Sequence, residues 1–301
     1  MSLLVGGYLL RRHIHCFFSI ASLFLSLTAL GSYEPRLIST ILGGNEVTDY
    51  NPLSKKVVFI KTVMVEFDSD LASRLHMKDL RKTCSGVLVH PQLVLTAAHC
   101  FSSQALRHEV IFSTDPLDLS TSKKEGQSSS LESLRWVKGH QFLYRNDKGR
   151  PTIDLVLLQL NESAPALYQP LKMAPESLNI TTSTLTMAGF GRTLEVNRNT
   201  NESNRLHFLD VEPQNFYLDN NEIIFNQTAG KGLCSGDSGG PIFAFSDGDV
   251  FLVGISSYVF SNDQVSPSAD ICRFSGAAIL LAPHLKALRV AMDSLLNRQT
   301  F

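Results

Sequence analysis

Three short segments of the sequence carry side chains able to pass a proton between them: Leu95-Thr-Ala-Ala-His99-Cys100, Asp154-Leu-Val-Leu-Leu and Gly236-Asp-Ser238-Gly-Gly-Pro241. A serine hydroxyl is a weak nucleophile at neutral pH and needs a base within hydrogen-bond reach. Histidine can take that proton and return it near pH 7. A carboxylate behind the imidazole holds its tautomer and stabilises the imidazolium that forms. Taken singly, a His beside a Cys reads as a structural or metal-ligating residue, and an Asp opening an apolar strand as a cap. The hexapeptide is the specific signal, because each of its positions matches by chance about once in twenty at average usage. The other histidines lack the HExxH spacing of a zinc hydrolase, so neither a metal nor a cofactor is expected.

The elements that must position these residues read as short strands. Lys56-Val-Val-Phe-Ile-Lys61, the run 85–98, Asp154-Leu-Val-Leu-Leu-Gln-Leu, the run 183–191 and the run 250–260 are apolar and β-branched, and turn residues separate them. Many short strands of this kind predict an all-β barrel or sandwich. The polar stretches 113–133 and 197–205 read as surface loops, and no repeat recurs at a fixed period. After Pro283, Leu285, Leu288, Met292 and Leu295 share one helical face, with Lys286, Arg289 and Asp293 off it. A membrane-surface helix would show that pattern too, but a terminal helix packed on the body of the domain is the expectation.

Composition narrows the partners. In 301 residues, 27 Lys+Arg offset 28 Asp+Glu to a formal net charge of −1, with 44% hydrophobic and 18% charged residues. That is globular composition, without the global field that would hold a nucleic acid. Arg11, Arg12 and His13 precede an uncharged run at 16–30, shorter than the about 20 apolar residues a bilayer span needs. With Ala29 and Gly31 at the cleavage position, residues 1–31 read as a secretory signal peptide and the mature chain as extracellular, not membrane-bound. The apolar stretch at 3–10 leaves a retained signal-anchor as the alternative.

Removing that segment removes Cys16 and leaves Cys84, Cys100, Cys234 and Cys272. In an exported chain these imply two disulfides, with three connectivities open. The sequons at Asn161, Asn179, Asn201 and Asn226 are glycosylation candidates in the same compartment.

From Ile41 to the C-terminus the chain resembles the trypsin/chymotrypsin family of serine endopeptidases. The resemblance rests on Ile41-Leu-Gly-Gly, the His99 and Asp154 segments, Gly189-Phe-Gly191, the hexapeptide around Ser238 and Gly254-Ile-Ser-Ser257-Tyr258. Their chain order, His then Asp then Ser, is the family's own. It implies two six-stranded antiparallel β-barrels with a C-terminal α-helix and the active site between the barrels. It also implies a signal peptide (1–31), a pro-segment (32–40) and a protease domain (41–301) made as a zymogen. His99, Asp154 and Ser238 would be the triad, and the N–H groups of Gly236 and Ser238 the oxyanion hole. The α-amine of Ile41, once freed, would pair with Asp237. The disulfides would be Cys84 with Cys100 and Cys234 with Cys272. Partners would be protein or peptide substrates and a protein inhibitor, met as a monomer. The alternative function is a catalytically silent homologue that binds through its cleft; such proteins usually lack the Ser or the His.

The pocket is where the chain departs from the family. Gly232, six residues before Ser238, stands at the pocket floor where trypsin-like members carry Asp. Ser257 lies on the strand lining the cleft, Tyr258 replaces a Trp, and Val259 replaces a Gly. These imply a shallow pocket for small or medium apolar residues. Asp263 or Asp270, in the long stretch 259–272, could instead restore a basic preference. A third family bridge near Asn226 has no cysteines here, so that loop is expected to be looser. The stretch 61–82 reads as an extra surface loop, either tolerated or serving as an exosite.

Overall fold

Alternate residues of the strands bury in opposite directions, and this sorts the chain into two sheets with cores on both faces. The computed structural model describes residues 41–67, 77–116, 133–191, 205–261 and 271–298. After a two-residue strand β1 (Asn45–Glu46) come β2 (Val57–Phe67), β3 (Met77–His90), β4 (Leu93–Thr96), β5 (Arg107–Ile111), β6 (Leu134–Phe142) and β7 (Val156–Leu160). Strands β2 to β7 close into a barrel in the order β2-β3-β4-β7-β6-β5. Val58, Ile60, Leu88, Val94, Val156 and Leu158 pack together in one cluster. Their neighbours Val57, Phe59, Val87, Leu93, Leu95 and Leu157 join a second cluster with Phe190, Phe243 and Ile255. The period-two pattern thus fills one core with even positions and the other with odd ones.

The remaining strands are β8 (Lys172–Met173), β9 (Leu185–Gly189), β10 (His207–Val211), β11 (Phe216–Asp219), β12 (Glu222–Asn226), β13 (Pro241–Ser246), β14 (Asp249–Phe260) and β15 (Ser275–Leu280). Six of them run antiparallel as β10-β9-β13-β14-β15-β12. Strands β1 and β11 extend the two ends and β8 pairs in parallel with β14, which makes a nine-stranded sheet. Helix α1 (Leu285–Asn297) buries Leu285, Leu288, Ala291 and Leu295 in the second cluster, and the buried Gln159 amide donates to Leu295 O at 2.8 Å. The helix is therefore packed on the body, as its pattern predicts. Among the described residues no helix is long and apolar enough to cross a membrane.

One expectation changes. The stretch 61–82 is not simply a loop: β2 and β3 stay in register from Val57 opposite Val87 out to Phe67 opposite Met77. Val63 opposite Arg81 and Thr62 opposite Lys82 continue the ladder, because the β-branched run in β2 does not stop at Lys61. Residues 1–40, most of 113–133 and 197–205, and the sequon at Asn201 lie outside the described residues.

Candidate active site

His99 sits in a single 3-10 turn, Ala98–Cys100, directly after β4, and the Cys84–Cys100 disulfide ties that turn to β3. Asp154 lies two residues before β7, the strand paired with β4, so the ladder delivers both side chains to one end of the barrel. Asp154 receives two hydrogen bonds from His99: the backbone N–H to Oδ1 at 2.8 Å, and Nδ1 with Oδ2 at 2.8 Å. The Ser257 hydroxyl also donates to Asp154 Oδ2. Burial pushes this carboxyl up, but the hydrogen bonds and charge of His99 and the Ser257 hydroxyl outweigh it, leaving the group below the usual carboxylate range. The carboxylate is thus held ionised behind the imidazole.

Ser238 enters from the second sheet, on the turn before β13. Its backbone O accepts from Ser85 N at 2.8 Å, and its hydroxyl donates to Ser257 O at 3.2 Å. Ser257 therefore contacts both Asp154 and Ser238, which the sequence placed only on the cleft wall. Gly236 has φ +100°, a left-handed conformation, and a Cβ there would stand 2.8 Å from Gly191 Cα. Both facts require glycine. Lys82 Nζ donates to His99 O at 2.6 Å, a contact the sequence did not announce. Burial lowers this ammonium and the Asp154 charge raises it part of the way back.

Asp237 is fully buried. Oδ1 accepts from Gly191 N at 2.8 Å and Oδ2 from Cys234 N at 2.9 Å. Burial nevertheless pushes its carboxyl up to about 8, and among the described residues no cation pairs with it. Gly189 and Gly191 flank it so closely that a Cβ on either would lie 2.3 Å from a carboxylate oxygen. Ile41 is fully buried in the core cluster of β9, β10 and β13, and Leu42 exchanges two 3.0 Å hydrogen bonds with Gly232.

A cleft of about 360 Å³ opens between these groups, lined by His99, Leu233, Ser238, Ser257, Tyr258 and Val259 among others. The Tyr258 hydroxyl donates to Glu222 at 2.8 Å, and burial followed by that carboxylate raises its pKa to about 12. The Cys234–Cys272 disulfide joins the Ser238 turn to the loop before β15. Gly232, expected at the floor, does not line the cleft: the buried side chain of Gln227 fills the space its Cβ would enter. The loop expected to be looser without a third bridge is held by that same side chain, which bonds Leu233 and Cys272. Asp263 and Asp270 lie outside the described residues. Cys84, His99 and Cys100 are grouped closely enough to suggest a metal site, but both sulfurs are in a disulfide and offer no thiolate.

Comparison with known proteins points to one family. The family model described as Trypsin matches residues 67–272, well over half of the chain and inclusive of His99, Asp154 and Ser238. Spermosin from Halocynthia roretzi is 26% identical over 199 residues, 60% of this chain and 48% of spermosin. Trypsin-1 from Salmo salar is 28% identical over 171 residues, 53% of this chain and 64% of its own. Human granzyme M is 28% identical over 191 residues, 56% of this chain and 68% of its own. The chain thus spans about half of spermosin and just under two thirds of trypsin-1. Solved structures of HL collagenase and of GrC superpose with a TM-score of 0.56 at 19% identity, covering 83% and 84% of this chain and 97% and 100% of theirs. At that identity the likeness is one of fold.

Proposed function

The chain belongs to the trypsin family, and from that premise we propose that it is a secreted serine endopeptidase acting through His99, Asp154 and Ser238. The observation that carries the reading is the ionised Asp154 bound to His99 Nδ1, in a cleft that also holds the Ser238 hydroxyl. In the reaction, Ser238 Oγ turns from Ser257 O toward His99 Nε2, loses its proton there and attacks the peptide carbonyl. The backbone N–H groups of Gly236 and Ser238 meet the oxyanion, and His99 returns the proton to the leaving amine. The acyl-enzyme is then hydrolysed by water activated at the same imidazole.

Activation follows from Asp237. A buried carboxyl without a cation is costly, and an ammonium on Ile41 after a cut at Thr40–Ile41 would supply one. The reading therefore includes a pro-segment (32–40) behind a signal peptide (1–31). Export is supported by the two disulfides and by two sequons in ordered turns. Asn179 Oδ1 accepts both the N–H (3.0 Å) and hydroxyl (2.8 Å) of Thr181, and Asn226 does the same with Thr228 (3.1 and 2.8 Å). Substrates are proteins or peptides cut after small or medium apolar residues, as Val259 and Leu233 on the cleft wall favour. The enzyme acts as a monomer and is open to a protein inhibitor at the cleft.

One observation favours the silent-homologue reading: the Ser238 hydroxyl donates to Ser257 O. Labelling with a fluorophosphonate decides between the two. The chain cut before Ile41 should react and the Ser238→Ala variant should not. An unreactive cut chain would leave the cleft as a binding site.

A further inference from the structure

Two apolar side chains, Leu233 and Val259, line the cleft. Each of them adjoins a glycine: Gly232 precedes Leu233, and Gly276 is the partner of Val259 in the β14–β15 ladder. Two glycines beside a cleft wall would ordinarily leave room for a deep pocket. Here that room is filled. A Cβ on Gly232 would stand 2.3 Å from Gln227 Cδ, and one on Gly276 would stand 2.2 Å from Gln227 Oε1. Gln227 is fully buried, and its amide is committed: Oε1 accepts from Leu233 N at 2.7 Å, while Nε2 donates to Leu233 O at 3.0 Å and Cys272 O at 2.7 Å. Both N–H groups are used, so none is left for a ligand.

We propose that Gln227 is a specificity-determining plug, whose neutral side chain closes the substrate pocket behind Leu233 and restricts the residue before the scissile bond to short, uncharged side chains such as Ala, Val and Thr. The inference rests on the endopeptidase reading and gives its substrate class a physical cause. A basic side chain entering the pocket meets no carboxylate among the described lining residues, only neutral groups such as Leu233, Val259 and the serine hydroxyls, so its charge would be buried without a counter-charge. An aromatic ring meets the plug itself.

The test separates filled volume from hydrogen bonding. Full-length chain, cut before Ile41, is assayed on peptide substrates that differ only in Ala, Val, Thr, Leu, Phe or Arg before the scissile bond. Wild type should prefer the first three. Gln227→Ala empties the space and should raise the Phe-to-Ala ratio of kcat/KM by ~10-fold or more, the discrimination that a few methylenes carry in an apolar pocket. Gln227→Met keeps the volume without the hydrogen bonds, so it should melt at a lower temperature and keep the wild-type ratio. If Gln227→Ala does not fold, Gln227→Asn, shorter by one methylene, should show the same shift in smaller measure. An unchanged ratio in the shortened variants, or an equal shift in Gln227→Met, overturns the plug. Fluorophosphonate labelling runs alongside: wild type that labels but ignores the plug refutes this inference alone, whereas wild type that does not label refutes the endopeptidase reading and the plug with it.

Discussion

Ser257 touches both sides of the proposed reaction: its hydroxyl donates to Asp154 and its carbonyl accepts from Ser238. Ser257→Ala removes one of the groups that hold the Asp154 carboxyl low. A hydrogen bond to a charged group contributes about 1.5–3 kcal/mol, so kcat/KM should fall by ~10-fold or more. By comparison Ser238→Ala and His99→Ala, which remove the reacting groups, should lose ~10⁴-fold or more with little change in melting temperature. The pH dependence of stability checks the cause. A lowered carboxyl contributes stability that is present above its unfolded value of about 3.9 and is lost as pH falls through the lowered folded value. Ser257→Ala should shrink that contribution, so urea midpoints of wild type and variant should differ at pH 5 and converge toward pH 2. A constant difference across that range would mean that Ser257 acts only through packing.

Asp237 gives the opposite sign. In the uncut chain its carboxyl is raised to about 8 by burial, against about 3.9 unfolded, so between these values the folded state holds the extra proton. Stability of the uncut chain should then fall as pH rises from about 4 to about 8. Buried histidines tilt the other way, His108 being lowered to about 4 chiefly by burial and then by His140. They are common to wild type and Asp237→Asn, so the difference between the two chains isolates the carboxyl. The variant should gain on wild type as pH rises, and parallel profiles would refute the account. After the cut the direction stays the same and the range moves up, because the proposed pairing would raise the Ile41 amine above its ordinary value of about 7.7–8.0. Activity should be retained at neutral pH and lost as pH climbs through that raised value.

At the scale of elements, close approach rather than contact area fixes the site. Gly191→Ala would press a Cβ to 2.3 Å from Asp237 Oδ2, with Asp237 fully buried and unable to yield. Overpacking of this kind costs about 1–3 kcal/mol, and thermal denaturation of Gly191→Ala should show it. These constraints were legible in sequence because short side chains recur beside the reactive ones, as in Gly189-Phe-Gly191 and in the run after Ser238. The strands were legible for a similar reason: β7 is apolar at four of its five positions and buried at all of them, as a strand covered on both faces must be. Other features were not. The β2–β3 ladder runs past Lys61 on the continued run of Thr62, Val63 and Val65, but one sequence does not show that the stretch 77–82 pairs with it. Gln227 carries no signal in the sequence beyond its place in the Asn226 sequon. Its burial depends on two glycines and a carbonyl brought from 232, 276 and 272, contacts with no local signature.

For the whole molecule, the proposed pairing with Asp237 requires a cut that frees the Ile41 amine. Leu42 is fixed by its paired hydrogen bonds to Gly232 and Ile41 is fully buried, so the proposed pairing requires a chain that starts at Ile41 itself. The preceding residues are Arg36-Leu-Ile-Ser-Thr40. A tryptic cut after Arg36 would leave Leu-Ile-Ser-Thr ahead of Ile41 and hold the ammonium outside the core. The bond that must be cut follows Thr40, a short uncharged residue of the kind a pocket closed by Gln227 admits. The enzyme should therefore process its own precursor. Mixing the cut wild-type enzyme with intact Ser238→Ala chain, which cannot cut itself, isolates that step. The expected product begins at Ile41 by N-terminal sequencing. A Thr40→Arg change in the target should slow its formation by ~10²-fold, since an unpaired charge would have to enter the pocket. A Ser238→Ala chain that stays intact, or that is cut to begin at Leu37, would show that another protease performs the activation.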